Sequence, residues 1–191
     1  MRNAINKIFI GLLFIVIDLN MNNIDIMPNF IGAIFIIVGL NSLKYLDDEK
    51  KYFSKAKSRT WNFLIVCILN IIILNNYVDF SEDYPVFNLI FAVVTISINI
   101  MIYYNLIKGI VTYIVTDYNS ELNEKFRRIL NLFLIVGSGQ IIVVSLALNV
   151  NNSVWLFIFA ITVTLVALGT EISFLRAINK LKNYCLNLSE D

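Results

Sequence analysis

Two ionisable side chains fall inside long apolar stretches of this chain, Lys108 and Glu171. A charge within a lipid-spanning helix is costly, so such residues face protein, a polar path or each other, and they are the first candidates for chemistry. Lys108 lies 23 residues after Pro85 and Glu171 lies 18 residues after Ser153. At helical rise these are depths of about 33–35 Å and about 27 Å, both near the same bilayer boundary. Ala160, Thr164, Ala167 and Glu171 share one stripe at helical spacing. Small residues let helices approach closely, which turns Glu171 toward protein. Ser97, Met101, Tyr104 and Lys108 form a second stripe on another helix. An ion pair between Lys108 and Glu171 would relieve the cost of both charges. The alternative is that each snorkels separately to water or headgroups.

Uncharged polar residues add three further groups. Asn88, Thr95 and Asn99 lie opposite the Lys108 stripe, and Asn131, Ser138, Ser145 and Asn149 share one face of the next apolar run. Such stripes line a polar path or, more commonly in membranes, make interhelical hydrogen bonds worth about 0.6 kcal/mol each. Gln140 points away from the second stripe, at mid-span, and is expected to bond a neighbouring helix. Asp18 and Asp25 flank a turn rich in asparagine. Carboxylates and amides could hold a hard cation, but the glycine and the bidentate glutamate of a calcium loop are missing, and a solvated turn is the simpler reading.

The rest of the chemistry is bounded by what is absent. The sequence has no histidine, which removes histidine-based nucleophilic catalysis and histidine metal sites. Its two cysteines, Cys67 in an apolar run and Cys185 in a polar tail, make neither a disulfide framework nor a thiolate metal site. A net charge of +1 gives no nucleic-acid signal. No glycine-rich phosphate loop is present, and no cofactor is expected.

The elements that must position these residues are membrane helices. With 58% hydrophobic and 15% charged residues and a mean hydropathy of +0.74, 191 residues cannot be covered by a polar surface. A span needs about 20 mostly apolar residues. Four runs qualify, at 60–78, 86–107, 129–149 and 153–175, and two more lie at 4–18 and 28–46, whose uninterrupted cores, Ile8–Ile17 and Phe30–Leu40, are shorter than a span. The spacing predicts an all-α polytopic bundle of six helices in a single integral membrane domain, residues 1–191. The alternative is four full spans with 4–46 as a re-entrant hairpin. The first run resembles a signal peptide but lacks a small-x-small cleavage site, so it is read as retained. "FIGLLFI" (9–15) and "FIGAIFI" (30–36) match at five of seven positions. An Ile/Phe-rich chain produces such matches by coincidence; were it a duplication, Gly11 and Gly32 would mark equivalent packing points.

Basic residues accumulate on the cytoplasmic side of inner membranes. Here they alternate. Arg2 and Lys7 come first, then a loop holding Lys44, Lys50, Lys51, Lys55, Lys57 and Arg59, then the loop near 117–128 with Lys125 to Arg128, then the tail with Arg176 to Lys182, with only Lys108 outside the pattern. The intervening loops 75–85 and 149–154 carry none. This predicts both termini in the cytoplasm of a cell-membrane protein. Pro28, Pro85 and Ser120 are expected at helix starts, with Asp25 to Asn29 capping the second helix. Residues 172–188 keep apolar residues at helical spacing and read as a continuation of the last helix lying along the cytoplasmic surface.

The stretch "KIFIGLLFIVIDLNMNNIDIMPNFIGAIFIIVGLNSL" (7–43) resembles the start of small multi-pass membrane proteins of low-GC Gram-positive bacteria. Asp18, Asp25, Pro28, Asn29, Gly32 and Gly39 occupy the positions of that pattern, with Asn29 where such proteins often carry Asp. The resemblance implies a membrane location and no activity.

The leading expectation is a non-enzymatic accessory, regulatory or structural membrane component, with the lipid bilayer and another membrane subunit or a second copy as partners. The rival is a small-solute or ion transporter or channel. It requires a polar cavity between the fourth, fifth and sixth helices, reached by Asn99, Gln140, Lys108 or Glu171. A membrane enzyme ranks third, because no motif arranges the carboxylates.

Overall fold

The computed structural model describes residues 1–16, 20–21, 24–25, 29–76, 85–115, 120–147 and 154–187. Six helices account for nearly all of them: α1 (Arg2–Val16), α2 (Asn29–Leu43), α3 (Tyr52–Asn76), α4 (Pro85–Gly109), α5 (Ser120–Ala147) and α6 (Val154–Asn187). Between α1 and α2 lie two short antiparallel strands, β1 (Asn20–Met21) and β2 (Ile24–Asp25), in which Asn20 faces Asp25. α2 continues into a 3₁₀ turn, Lys44–Leu46, and α4 into a π-helical turn, Ile110–Ile114. The six-helix expectation fits. α4 begins at Pro85 and α5 at Ser120, as their helix-start chemistry requires.

Each helix packs on the next in sequence, and α6 packs back on α1, so the six form a closed ring. Four contacts give the direction of the ring. Cys185 Sγ is 3.7 Å from Met1 Sδ, Gly39 meets Ala4, and Gly109 meets Phe53. Lys180 lies 3.9 Å from Glu121. Neighbours are therefore antiparallel, and the start of α1 and the end of α6 share one end with the α2–α3 turn and the start of α5. Every Lys and Arg falls in that half of the bundle, here called the basic end.

The basic end holds the main core. Phe53, Phe126 and Phe174 are fully buried there with Leu43, Leu106 and Leu181. Elsewhere the surface is strongly apolar: Trp155 is 81% exposed, Ile135 69% and Leu165 63%. Among the described residues four segments are long and apolar enough to cross a membrane, Asn29–Leu46, Leu89–Ile114, Ser120–Leu146 and Val154–Cys185.

Two expectations change. Lys55, Lys57 and Arg59 sit on α3 and not in a loop, because the helix begins at Tyr52, well before the apolar run. The Asp47 carboxylate starts it, accepting the backbone N–H groups of Phe53 at 2.9 Å and Ser54 at 2.7 Å. These are donors that the first turn of a helix leaves unpaired. The tail does not lie along a surface either. It is the last part of one 34-residue helix, and Ala177, Ile178, Leu181 and Cys185 are buried in the core. Burial of that stripe against protein replaces its expected burial in an interface. Pro28 lies outside the described residues.

Candidate functional site

Between α4, α5 and α6 lies a cavity of about 130 Å³. α4 contributes Asn99 and Tyr103, α5 Gln140, and α6 Glu171. A second cavity, of about 480 Å³, is lined by Asn29, Cys67, Asn70 and Thr95 among others. Ile96, Asn99 and Glu171 line both. Glu171 and Asn99 therefore stand where the two spaces adjoin, inside the ring.

Helical spacing puts Asn99 opposite the Lys108 stripe, Gln140 off the Asn131 stripe and Glu171 on a face of small residues. Three of the candidates, Asn99, Gln140 and Glu171, come from three different helices and reach one cavity. Thr95 lies one turn from Asn99 on the same side of α4, and its hydroxyl donates to the Phe91 carbonyl at 2.8 Å. The Ala160–Thr164–Ala167 stripe is mixed: Ala167 lines the cavity with Glu171, whereas Thr164 is exposed.

Lys108 does not join them. Its ammonium lies 5.9 Å from the centroid of the Tyr104 ring. The described ion pairs are Arg128 with Glu124, and Lys180 with Glu121. Two geometric reasons separate Lys108 from Glu171. Met101 and Tyr104, on the Lys108 stripe, are 44% and 37% exposed, so that stripe looks outward. The five residues from Tyr103 to Lys108 also displace it by about 7.5 Å along the axis, toward the basic end.

The Asn131, Ser138 and Ser145 stripe also faces outward. Ser138 and Ser145 donate to the carbonyls of Leu134 and Ile141, each at 2.8 Å. Their hydroxyl protons are satisfied by their own helix, and their outward faces keep both side chains away from the cavity. Asn149 and Asp18 lie outside the described residues, as does the side chain of Asn88. Asp25 is described only through its place in β2.

Toward the basic end the cavity is bordered by rings. Tyr103 and Phe133 stack at 4.1 Å with an interplanar angle of 8°. Phe174 stands edge-on to both, at 5.6 Å from each. Phe174 follows Glu171 by three residues, so the carboxylate and the aromatic floor are coupled through one helical turn. Sequence reading missed this floor, because isolated aromatics in apolar runs look like ordinary core. It also discounted Cys67, which lines the larger cavity.

A separate polar contact ties the α2–α3 turn to the end of α4. The Tyr113 hydroxyl donates to Asp48 Oδ1, and the Lys50 backbone N–H donates to the same oxygen at 2.8 Å. These bonds hold the Asp48 carboxyl below its ordinary value, with the Tyr113 bond the larger cause. Tyr113 lies in the π-helical turn and packs on Phe53 at 5.7 Å.

Among the described residues no group of three or more His, Cys, Asp or Glu is placed to hold a metal. The arrangement offers one carboxylate, several neutral amides and an aromatic floor. Comparison with family models, with curated proteins and with solved structures finds no match.

Proposed function

We propose that the chain is a six-span membrane protein whose interior cavity binds a small polar solute for transport. The observation that carries this reading is the convergence of Glu171, Asn99 and Gln140 on one interior space in an otherwise apolar bundle. Polar groups inside a membrane bundle are retained against their cost where they serve a pathway. The aromatic floor borders the cavity on the side of the basic end. The large outward side chains of α5 and α6 suit lipid. Gathering every basic residue at one end supports placing that end, with both termini, in the cytoplasm.

Thiol labelling of the full chain in proteoliposomes tests the reading. With Cys67 and Cys185 replaced by Ser, Thr95→Cys lines the larger cavity and Val94→Cys, next to it in sequence, faces outward. A charged, water-soluble methanethiosulfonate reagent reacts with the first and spares the second, which lies in lipid. Equal protection of both positions overturns the transport reading and returns the chain to the accessory role. Reporter fusions at the C-terminus test the orientation, with activity of an exterior-only reporter reversing it.

A further inference from the structure

The sign of the solute's charge follows from what faces the cavities. Among the described residues lining them, Glu171 is the one acidic side chain, and no Lys or Arg takes part. An anionic solute would meet a like charge in a weakly screening interior without compensation. A cation would neutralise Glu171 there.

The valence follows from the ligand set. Calcium takes about six to eight oxygens, commonly several of them carboxylates, and no acidic group of that kind is assembled among the described residues. One carboxylate matches one positive charge. Asn99 and Gln140 supply amide oxygens that accept N–H donors.

The apolar walls decide between an alkali ion and an organic cation. Ile96, Ile100 and Val136 line the same 130 Å³ space as Glu171. That is room for several water-sized groups. An alkali ion gains nothing from such walls, whereas an alkyl group is driven onto them.

Resting on the transport reading above, we propose that this site takes a small monovalent organic ammonium. Its charge pairs with Glu171, its N–H groups meet Asn99 and Gln140, and its alkyl part lies against Ile96, Ile100 and Val136.

Calorimetric titration of the full chain in detergent tests this with propylammonium chloride as the probe. Potassium chloride and 1-propanol serve as the charged and the neutral alternatives. Saturable binding is expected for propylammonium alone. Glu171→Gln weakens it by at least about tenfold, since the buried charge loses its partner, and Glu171→Asp, which keeps the charge, retains most of it. Should Glu171→Gln fail to fold, Asn99→Leu and Gln140→Leu read the same site, each lowering affinity several-fold. Unchanged affinity in these variants, or an equal response to potassium or propanol, overturns the proposal. Absence of propylammonium binding alongside successful labelling of Thr95→Cys refutes the organic-cation assignment alone. Failure of that labelling refutes the transport reading beneath it.

Discussion

Gly11 and Gly32 occupy each other's missing side-chain space. A Cβ on Gly11 would lie 2.5 Å from the Gly32 carbonyl oxygen, and one on Gly32 would lie 2.6 Å from the Gly11 carbonyl oxygen. The two glycines of the repeated "FIG" segments thus meet backbone to backbone where α1 packs on α2, each in the same relation to the other. Gly39 continues the seam, where a Cβ would lie 2.7 Å from the Ala4 carbonyl oxygen. Backbone cannot move aside as a flexible side chain can, so Gly11→Val and Gly32→Val should each cost about 1–3 kcal/mol or more. Gly169, with nothing within 4 Å of its missing Cβ, is the control. Gly169→Ala should be neutral or stabilising by up to about 1 kcal/mol. Denaturant unfolding in a fixed micelle measures all three.

The start of α3 depends on Asp47. Asp47→Ala removes the acceptor of the Phe53 and Ser54 N–H groups and should cost about 0.5–2 kcal/mol. Hydrogen exchange localises the effect: the amides of Phe53 and Ser54 should exchange faster than in the parent, with α5 little changed. Uniform protection across α3 in the variant would show that packing of Phe53 alone starts the helix.

Asp48 is the titrating group of the α2–α3 turn. Its carboxyl is held below the ordinary value of 3.8. The stabilisation it contributes is therefore complete above that ordinary value and is lost as pH falls through the lower, folded value. Tyr113→Phe removes the larger cause, so the carboxyl midpoint should move up toward the ordinary range. A ¹³C titration of the Asp48 carboxyl in the two proteins reads this directly. The group is exposed, so the effect on overall stability should be small.

The aromatic floor should be the most sensitive part of the bundle. Phe174 is 1% exposed and touches Tyr103, Phe126 and Phe133. Phe174→Ala should cost about 3–5 kcal/mol. Trp155→Ala, at a residue 81% exposed, should change unfolding by far less despite deleting a larger side chain.

Lys108 and Glu171 should behave independently. In a double-mutant cycle Lys108→Met and Glu171→Gln should add to within about 0.3–0.5 kcal/mol. A larger coupling would show that the two charges meet after all.

The sequence by itself determined the number and order of helices, because lipid-span length, helix-start chemistry and alternating charge are local signals that each segment carries alone. It determined which side of a helix Asn99, Gln140 and Glu171 occupy, because helical spacing assigns a face. It offered Gly11 and Gly32 as equivalent points only were the repeat a duplication, and the repeat by itself reads as coincidence. It did not reveal what each face meets. Whether the Lys108 stripe or the Asn99 stripe of α4 turns inward depends on the rotation of that helix against α3 and α5. That rotation is set by the summed packing of residues distant in sequence, Ile100 against Gly137 among them. The same holds for the tail, whose apolar stripe suits a membrane surface and a protein groove equally until α1 and α5 supply the groove. Closure of the ring, the meeting of Met1 with Cys185 and the stacking of Tyr103 on Phe133 were decided only in the tertiary structure. Each is a contact between helices, and no periodicity within one helix encodes it.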